Sequence, residues 1–168
     1  MTSDGTSTAP DRFWSHVVKG PNRSDCWIWT GAIGDDGYGR FWLPQPDGGQ
    51  RAMRPQRWLY EHLTGVALLP DVLLLHACDV PLCVHVHVDV DEAVSHLAPG
   101  THRGNMLERV QRGRHRNEWT TLRTSGLPRS ERVRLSRELR EAFREHGWDA
   151  AAVRACRTGI ASDTPTLW

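Results

Sequence analysis

The sequence predicts an α+β fold with a helical C-terminal unit, and three stretches carry that expectation. Residues 26–43, "CWIWTGAIGDDGYGRFWL", alternate and carry aromatics around the turn signals Asp36-Gly37 and Gly39, the pattern of a hairpin. Residues 71–77 form an apolar run that ends in the tight loop "CDVPLC", as a buried strand and its turn do. Residues 130–147 place Val133, Leu135, Leu139 and Phe143 on one side of an amphipathic helix. At 168 residues the chain is long enough for one main domain with a real core, plus a tail.

Taken in order, residues 1–10 are rich in Ser, Thr and Gly and read as a disordered leader. Phe13, Trp14, Val17 and Val18 then have the spacing of a short amphipathic helix, with Asp11 as its cap and Gly20 as its stop. The hairpin follows, and "QRWLYEHLTG" predicts a helix closed by Gly65. Beyond the cysteine loop, Val84, Val86, Val88 and Val90 alternate with His85, His87, Asp89 and Asp91, which predicts a strand with one polar face. "THRGNMLERVQRGRHR" begins at a cap-like Thr101 and continues as a basic helix, completing a main domain over residues 11–117. Residues 118–129, with Gly126 and Pro128, form a linker to residues 130–168, where the long helix is followed by a short one in "DAAAVRACRTG".

The net charge is only +1, yet from Arg103 to the C-terminus 14 Arg stand against 8 Asp plus Glu. Such a basic third suits a polyanionic partner, or simply a solvated helix face. No apolar run approaches the ~18 residues of a membrane span, and "MTSDGTSTAP" lacks the apolar centre of a signal peptide. A reducing, cytoplasmic setting is therefore expected, in which a close cysteine pair is more often a metal site than a disulfide. Cys78 and Cys83 can converge on one tetrahedral ion, which needs two further N or S ligands. Cys26 and Cys156 are the candidate thiols, and His85, His87 and His96 the histidines nearby in sequence. Two buried free cysteines are the plainer alternative.

The run "HACDVPLCV…HLAPGTHRGNM" resembles the HNH, or ββα-metal, endonucleases, in the branch with H-x-C-x4-C, a later His-Leu and then Gly-Thr-x3-Asn. Its spacing is similar to that of the His-Cys box homing endonucleases. The likeness extends through "RFWSHVV", "DCWIWTGAIGDDGYGRF" and "QRWLYEHLTG" upstream and "NMLERVQRGR" downstream, roughly residues 12–114. It implies a small ββα-metal (His-Me finger) nuclease core with a zinc site, DNA as partner, and phosphodiester hydrolysis by nicking or double-strand cleavage. A bacterial or phage-infected cytoplasm is the implied setting, with a phage or mobile element as source.

By that resemblance His76 takes the position of the general base and Asn105 that of the ligand to a catalytic Mg or Mn ion. Cys78, Cys83 and His96 fall on the zinc ligands, with Cys26 as the fourth. Arg57 is the first choice for a phosphate clamp, ahead of Arg40 and Arg51, and Arg54, Arg109, Arg112 and Arg114 complete the expected DNA-facing set. The chemistry is coherent in itself. An imidazole with a pKa near ~6.5 can deprotonate a water at neutral pH, and a hard cation neutralises charge on the phosphate. The zinc would be structural, contributing on the order of 10 kcal/mol to folding.

The departures from the family pattern matter as well. Twelve residues, 84–95, separate Cys83 from His96 where relatives have a shorter link, so an inserted strand or hairpin is expected ahead of a normal His, favouring His96 over His87 as the ligand. Leu75 stands where many relatives place an Asp or His that adds a metal ligand. A zinc-stabilised DNA-binding protein without cleavage is therefore the alternative, and a metal sensor using the His-rich strand is a third reading. A homodimer is compatible with all of them. Residues 130–168 resemble the helix-turn-helix appendage that some of these nucleases carry, the alternative being a helical hairpin packed on the main domain.

Overall fold

The computed structural model describes residues 7–88, 95–101 and 128–158, and these form an α+β fold of four helices and seven short strands. The first helix, α1 (Ala9–Trp14), starts earlier than the sequence pattern suggests. Thr8, not Asp11, is the N-cap: Thr8 Oγ1 accepts from the Asp11 N–H, and the Asp11 carboxylate accepts from the Thr8 N–H at 3.1 Å. This reciprocal pair closes a capping box, and Pro10 suits the first turn because it has no N–H to leave unpaired. The last two residues of the expected leader thus belong to the helix. The helix also ends early, at Trp14, because β-branched Val17 and Val18 enter strand β1 (Val17–Lys19) instead of continuing to Gly20.

Strand β1 pairs antiparallel with β2 (Trp27–Trp29), matching Val17 to Trp29 and Lys19 to Trp27. The expected hairpin is β3 (Ala32–Ile33) and β4 (Gly39–Pro44), turning at Gly37, whose φ of +83° is one that glycine tolerates. Strand β5 (Gln50–Met53) adds a third strand to that hairpin. It returns through a turn in which Gly49 N–H bonds to Asp47 Oδ1 at 2.9 Å. Helix α2 (Pro55–Thr64) ends, as expected, at Gly65 in the left-handed conformation.

Strands β6 (Leu73–His76) and β7 (Leu97–Gly100) form an antiparallel pair with His76 opposite Leu97. Residues 84–88 are not the strand with a solvated face that their alternation predicts. They run beside β2, with Val84 N–H donating to the Trp27 carbonyl and His96 N–H to the His85 carbonyl. Both faces are covered, since Val84, His85 and Val86 are at most 1% exposed. Asp89 and Val90 to Asp91, the rest of that expected strand, lie outside the described residues.

Helices α3 (Arg129–His146) and α4 (Ala150–Thr158) form a hairpin, with Asp149 Oδ1 accepting from the N–H groups of Ala151 and Ala152 at the start of α4. Leu135, Leu139 and Phe143 of α3 and Val153 and Cys156 of α4 join the same buried cluster as Phe13, Trp29, Phe41 and Leu59. At its centre Phe13 packs against Trp29, Phe41 and Trp58 with ring centroids 5.4, 5.6 and 4.7 Å away. The helical hairpin therefore shares the core of the preceding sheets and helices.

Candidate metal centre

Four side chains from three separate stretches meet at one end of the β6–β7 pair. Cys26 ends the loop before β2, a loop tied by the Asp25 carboxylate, which accepts from Asn22 N–H and Nδ2 at 2.8 and 2.9 Å. Cys78 and Cys83 flank the loop after β6, where Asp79 takes a φ of +60° and the Cys83 N–H bonds to the Val80 carbonyl. His96 leads into β7, and its carbonyl accepts from the Ala77 N–H at 2.8 Å. The three sulfurs and a ring nitrogen of His96 all lie within 4.8 Å of one another.

The geometry fits a tetrahedral ion. His96 Nδ1 is 3.4 Å from Cys26 Sγ and 3.5 Å from Cys83 Sγ. A tetrahedron with metal–sulfur bonds of ~2.3 Å and a metal–nitrogen bond of ~2.0–2.1 Å has N···S edges of about 3.6 Å. His96 Nε2 lies 2.9 Å from the Ser24 carbonyl, so it carries the proton and leaves the Nδ1 lone pair facing the sulfurs. The His85 N–H points at Cys83 Sγ from 3.5 Å, a further donor to that sulfur.

The electrostatics lead to the same conclusion. Hydrogen bonds from Cys26 and Cys83 hold the Cys78 thiol well below its ordinary pKa. Hydrogen bonding to Cys78 raises Cys26, while burial first, and then Cys26 and Cys78, push Cys83 well up. The Cys78 thiolate in turn raises His96. These opposing shifts arise because buried negative charges this close repel one another. A divalent ion would reverse that balance. The Cys3His set can therefore hold a metal such as zinc. Cys156, although 2% exposed and in the same core, is not one of the four.

His76, the expected base, is the last residue of β6 and so sits two residues before Cys78. Both of its ring nitrogens are shielded from solvent and neither completes a well-formed hydrogen bond among the described residues, although the ring lies close enough to Cys78 to help lower that thiol's pKa. The Tyr38 ring lies 6.1 Å away, and the Arg54 guanidinium covers Tyr38 at 4.1 Å. Leu75 packs over Gly100, where an added Cβ would come within 2.4 Å of Leu75 Cδ1.

Arg57 is not placed to clamp a phosphate. Its Nε donates to Glu61 at 3.0 Å, Nη1 to the Val72 carbonyl at 3.0 Å, and Nη2 to the carbonyls of Leu68 and Leu69. Four of its five N–H groups thus hold the 66–72 loop against α2. Arg40 and Arg54 each lie 3.0 Å from the Asp36 carboxylate, and Arg51 is exposed on β5. Asn105, His102, Arg109, Arg112 and Arg114 lie outside the described residues.

His85, expected on a solvated face or as a candidate ligand, is instead fully buried beside the cluster. It stacks on Trp27 with centroids 4.4 Å apart and planes 9° from parallel, and its Nδ1 meets the Asp25 carbonyl at 2.6 Å. Burial holds its pKa down, to about 4. No local pattern marks this burial, because strict alternation reads as one apolar and one polar face and the cover of His85 comes from Trp27.

No family model matches the chain, and no solved structure matches it. It is 31% identical over 90 residues to Protein 7.7 of Escherichia phage T7, a match covering 54% of this chain and 58% of that protein. It is 30% identical over 91 residues to Protein 2.8 of the same phage, covering 54% of this chain and 53% of the relative. The chain thus spans little more than half the length of these curated relatives. Among the described residues no helix is long and apolar enough to cross a membrane.

Proposed function

We propose that the protein is a metal-dependent DNA endonuclease of the HNH type, acting in the cytoplasm of a bacterial or phage-infected cell. The observation that carries this reading is the position of His76. It ends β6 beside the Cys3His cluster, with the Ala77–His96 hydrogen bond and the His76–Leu97 pairing fixing the backbone on either side. A metal at the cluster would anchor the strand that presents the imidazole. All four positions of the tetrahedron would be filled by protein, which suits structural zinc.

The His76 imidazole would accept the proton of the attacking water. Arg54, over Tyr38, would have to exchange its Asp36 partner for a phosphate to take the role expected of Arg57. A Mg or Mn ion, when bound, supplies neutralisation of charge on the phosphate; Asn105, its expected ligand, lies outside the described residues. A second reading, DNA binding without cleavage, is favoured by the shielding of both His76 nitrogens, since a base must reach water.

Nicking of supercoiled plasmid with Mg or Mn separates the two. Under the nuclease reading the wild type converts plasmid, and His76→Ala and Asn105→Ala lose about 10²–10⁴ of the rate. Equal conversion by wild type and His76→Ala removes the histidine from the chemistry, and DNA binding without any conversion establishes the second reading.

A further inference from the structure

Between the Cys3His cluster and α4 lies a cleft of about 460 Å³, with Ser24, Asp25 and Ser95 on one side and Trp148, Arg154 and Arg157 on the other. The two arginines are three residues apart on α4, so they share a face of the helix, and both are exposed. Most arginines elsewhere on the described surface are already engaged. Arg40 and Arg54 pair with Asp36, Arg129 with Asp35, and Arg134 with Glu131 and Glu138, while Arg140 pairs with Glu141 and Arg144 donates to the Thr30 carbonyl. Arg154 and Arg157 have no ion pair or hydrogen bond from their guanidinium groups among the described residues. The acidic group in the cleft, Asp25, has its carboxylate bound to Asn22.

We infer that this cleft binds a backbone phosphate of nucleic acid, held by the guanidinium groups of Arg154 and Arg157 with Trp148 as an aromatic wall. A guanidinium fork matches phosphate oxygens, and two unpaired forks on one helix face, opening on a polar cleft, favour an anion over an apolar ligand. The indole of Trp148, only half-buried and edge-on to Phe143 at 5.4 Å, offers a surface for a sugar or base next to that phosphate. The metal-loaded cluster, with three thiolates and one divalent ion, would carry one net negative charge. Arg157 is close enough to be felt at Cys26 and His96, and although the cluster and the Asp25 carboxylate together match the two arginines in number, neither guanidinium forms an ion pair among the described residues. The choice of nucleic acid as ligand rests on the nuclease reading; the anion site rests on the cleft itself.

The test measures binding of a fluorescein-labelled DNA duplex to zinc-loaded full-length protein across a salt series without added Mg or Mn, alongside zinc content and plasmid nicking. For Arg154→Ala/Arg157→Ala, affinity should fall by about eightfold per lost contact near ~0.1 M salt, and the slope of log affinity against log salt should shrink by about 0.9 per contact. Zinc content should be unchanged, and Arg154→Lys/Arg157→Lys should keep the wild-type slope. Unchanged affinity and slope in the alanine variant, loss of its zinc, or no duplex binding by the wild type each overturns the inference. If the wild type nicks and the alanine variant binds equally well, the cleft fails alone. If binding depends on the arginines but no protein nicks, the nuclease reading fails and the cleft stands.

Discussion

Replacing His96 with alanine tests the metal centre at its most distinctive ligand. The four donors come from the loop before β2, the loop after β6 and the residue leading into β7, so one ion ties together three segments far apart along the chain. A structural zinc supplies about 10–16 kcal/mol in small zinc domains, against about 5–15 kcal/mol for the net stability of a whole domain. Removing one ligand of four therefore threatens the fold around the cluster and not just its occupancy. For a chain of this length about 1 kcal/mol shifts the melting temperature by about 2–4 °C, so a loss of even ~5 kcal/mol lowers it by about 10–20 °C. Cys156→Ala is the matched control: it removes a buried thiol from the same core but not from the cluster, at a cost of about 1 kcal/mol. Elemental analysis and thermal melts, each with and without chelator, read the result. Wild type and Cys156→Ala should carry one zinc per chain and lose stability to the chelator, while His96→Ala should be zinc-poor and already destabilised. Full zinc and a wild-type melt for His96→Ala, or a zinc-free Cys156→Ala, would refute the assignment.

Three further outcomes follow from the described contacts. Arg57→Met should cost about 2–4 kcal/mol in urea denaturation, because the carbonyls of Leu68, Leu69 and Val72 and the Glu61 carboxylate lose a charged donor, yet leave the salt slope of DNA binding intact; a cost under ~0.5 kcal/mol contradicts that role. Gly65→Ala should destabilise by about 1–2 kcal/mol purely through its φ of +68°, since nothing lies within 4 Å of an added Cβ, and a neutral result would mean α2 does not end there. Burial keeps His85 neutral in the folded chain down to a pKa of about 4, whereas the unfolded chain takes up the proton near ~6.5. Stability should thus be intact above pH ~6.5 and fall as the pH drops from there towards 4, by at most about 1.4 kcal/mol per unit from this group. Denaturation of His85→Gln over the same range should show a shallower fall, and an identical slope would show that His85 is not the group responsible.

What could be read without coordinates was chemistry that depends on neighbours in the chain. Gly65 ends α2 because only a few residues tolerate that backbone conformation, and Asp36-Gly37 turns the β3–β4 hairpin for a related reason. The H-x-C-x4-C spacing, with the likeness it carries, pointed to Cys26, Cys78, Cys83 and His96, and the structure brings those four donors together. The α1 boundary was misread because the Thr8–Asp11 capping box competes with Asp11 as a cap, and the box satisfies two N–H groups instead of one.

The remaining features depend on groups far apart in sequence. Arg57 looked like a free clamp because its partners are carbonyls of a loop that curls back onto α2, and no spacing rule marks a carbonyl as an acceptor. His85 looked solvated because its cover is Trp27, brought there by the pairing of Val84 with β2. Arg154 and Arg157 looked like any basic helix face until the cleft beside the cluster appeared against them. Rules that act over a few residues marked the end of α2 and the β3–β4 turn, while the metal ligands, as much as 70 residues apart, were named through the family likeness. The fold decided which cations are already neutralised and which histidines are dry, because charge and burial are settled by whatever the chain brings close in space.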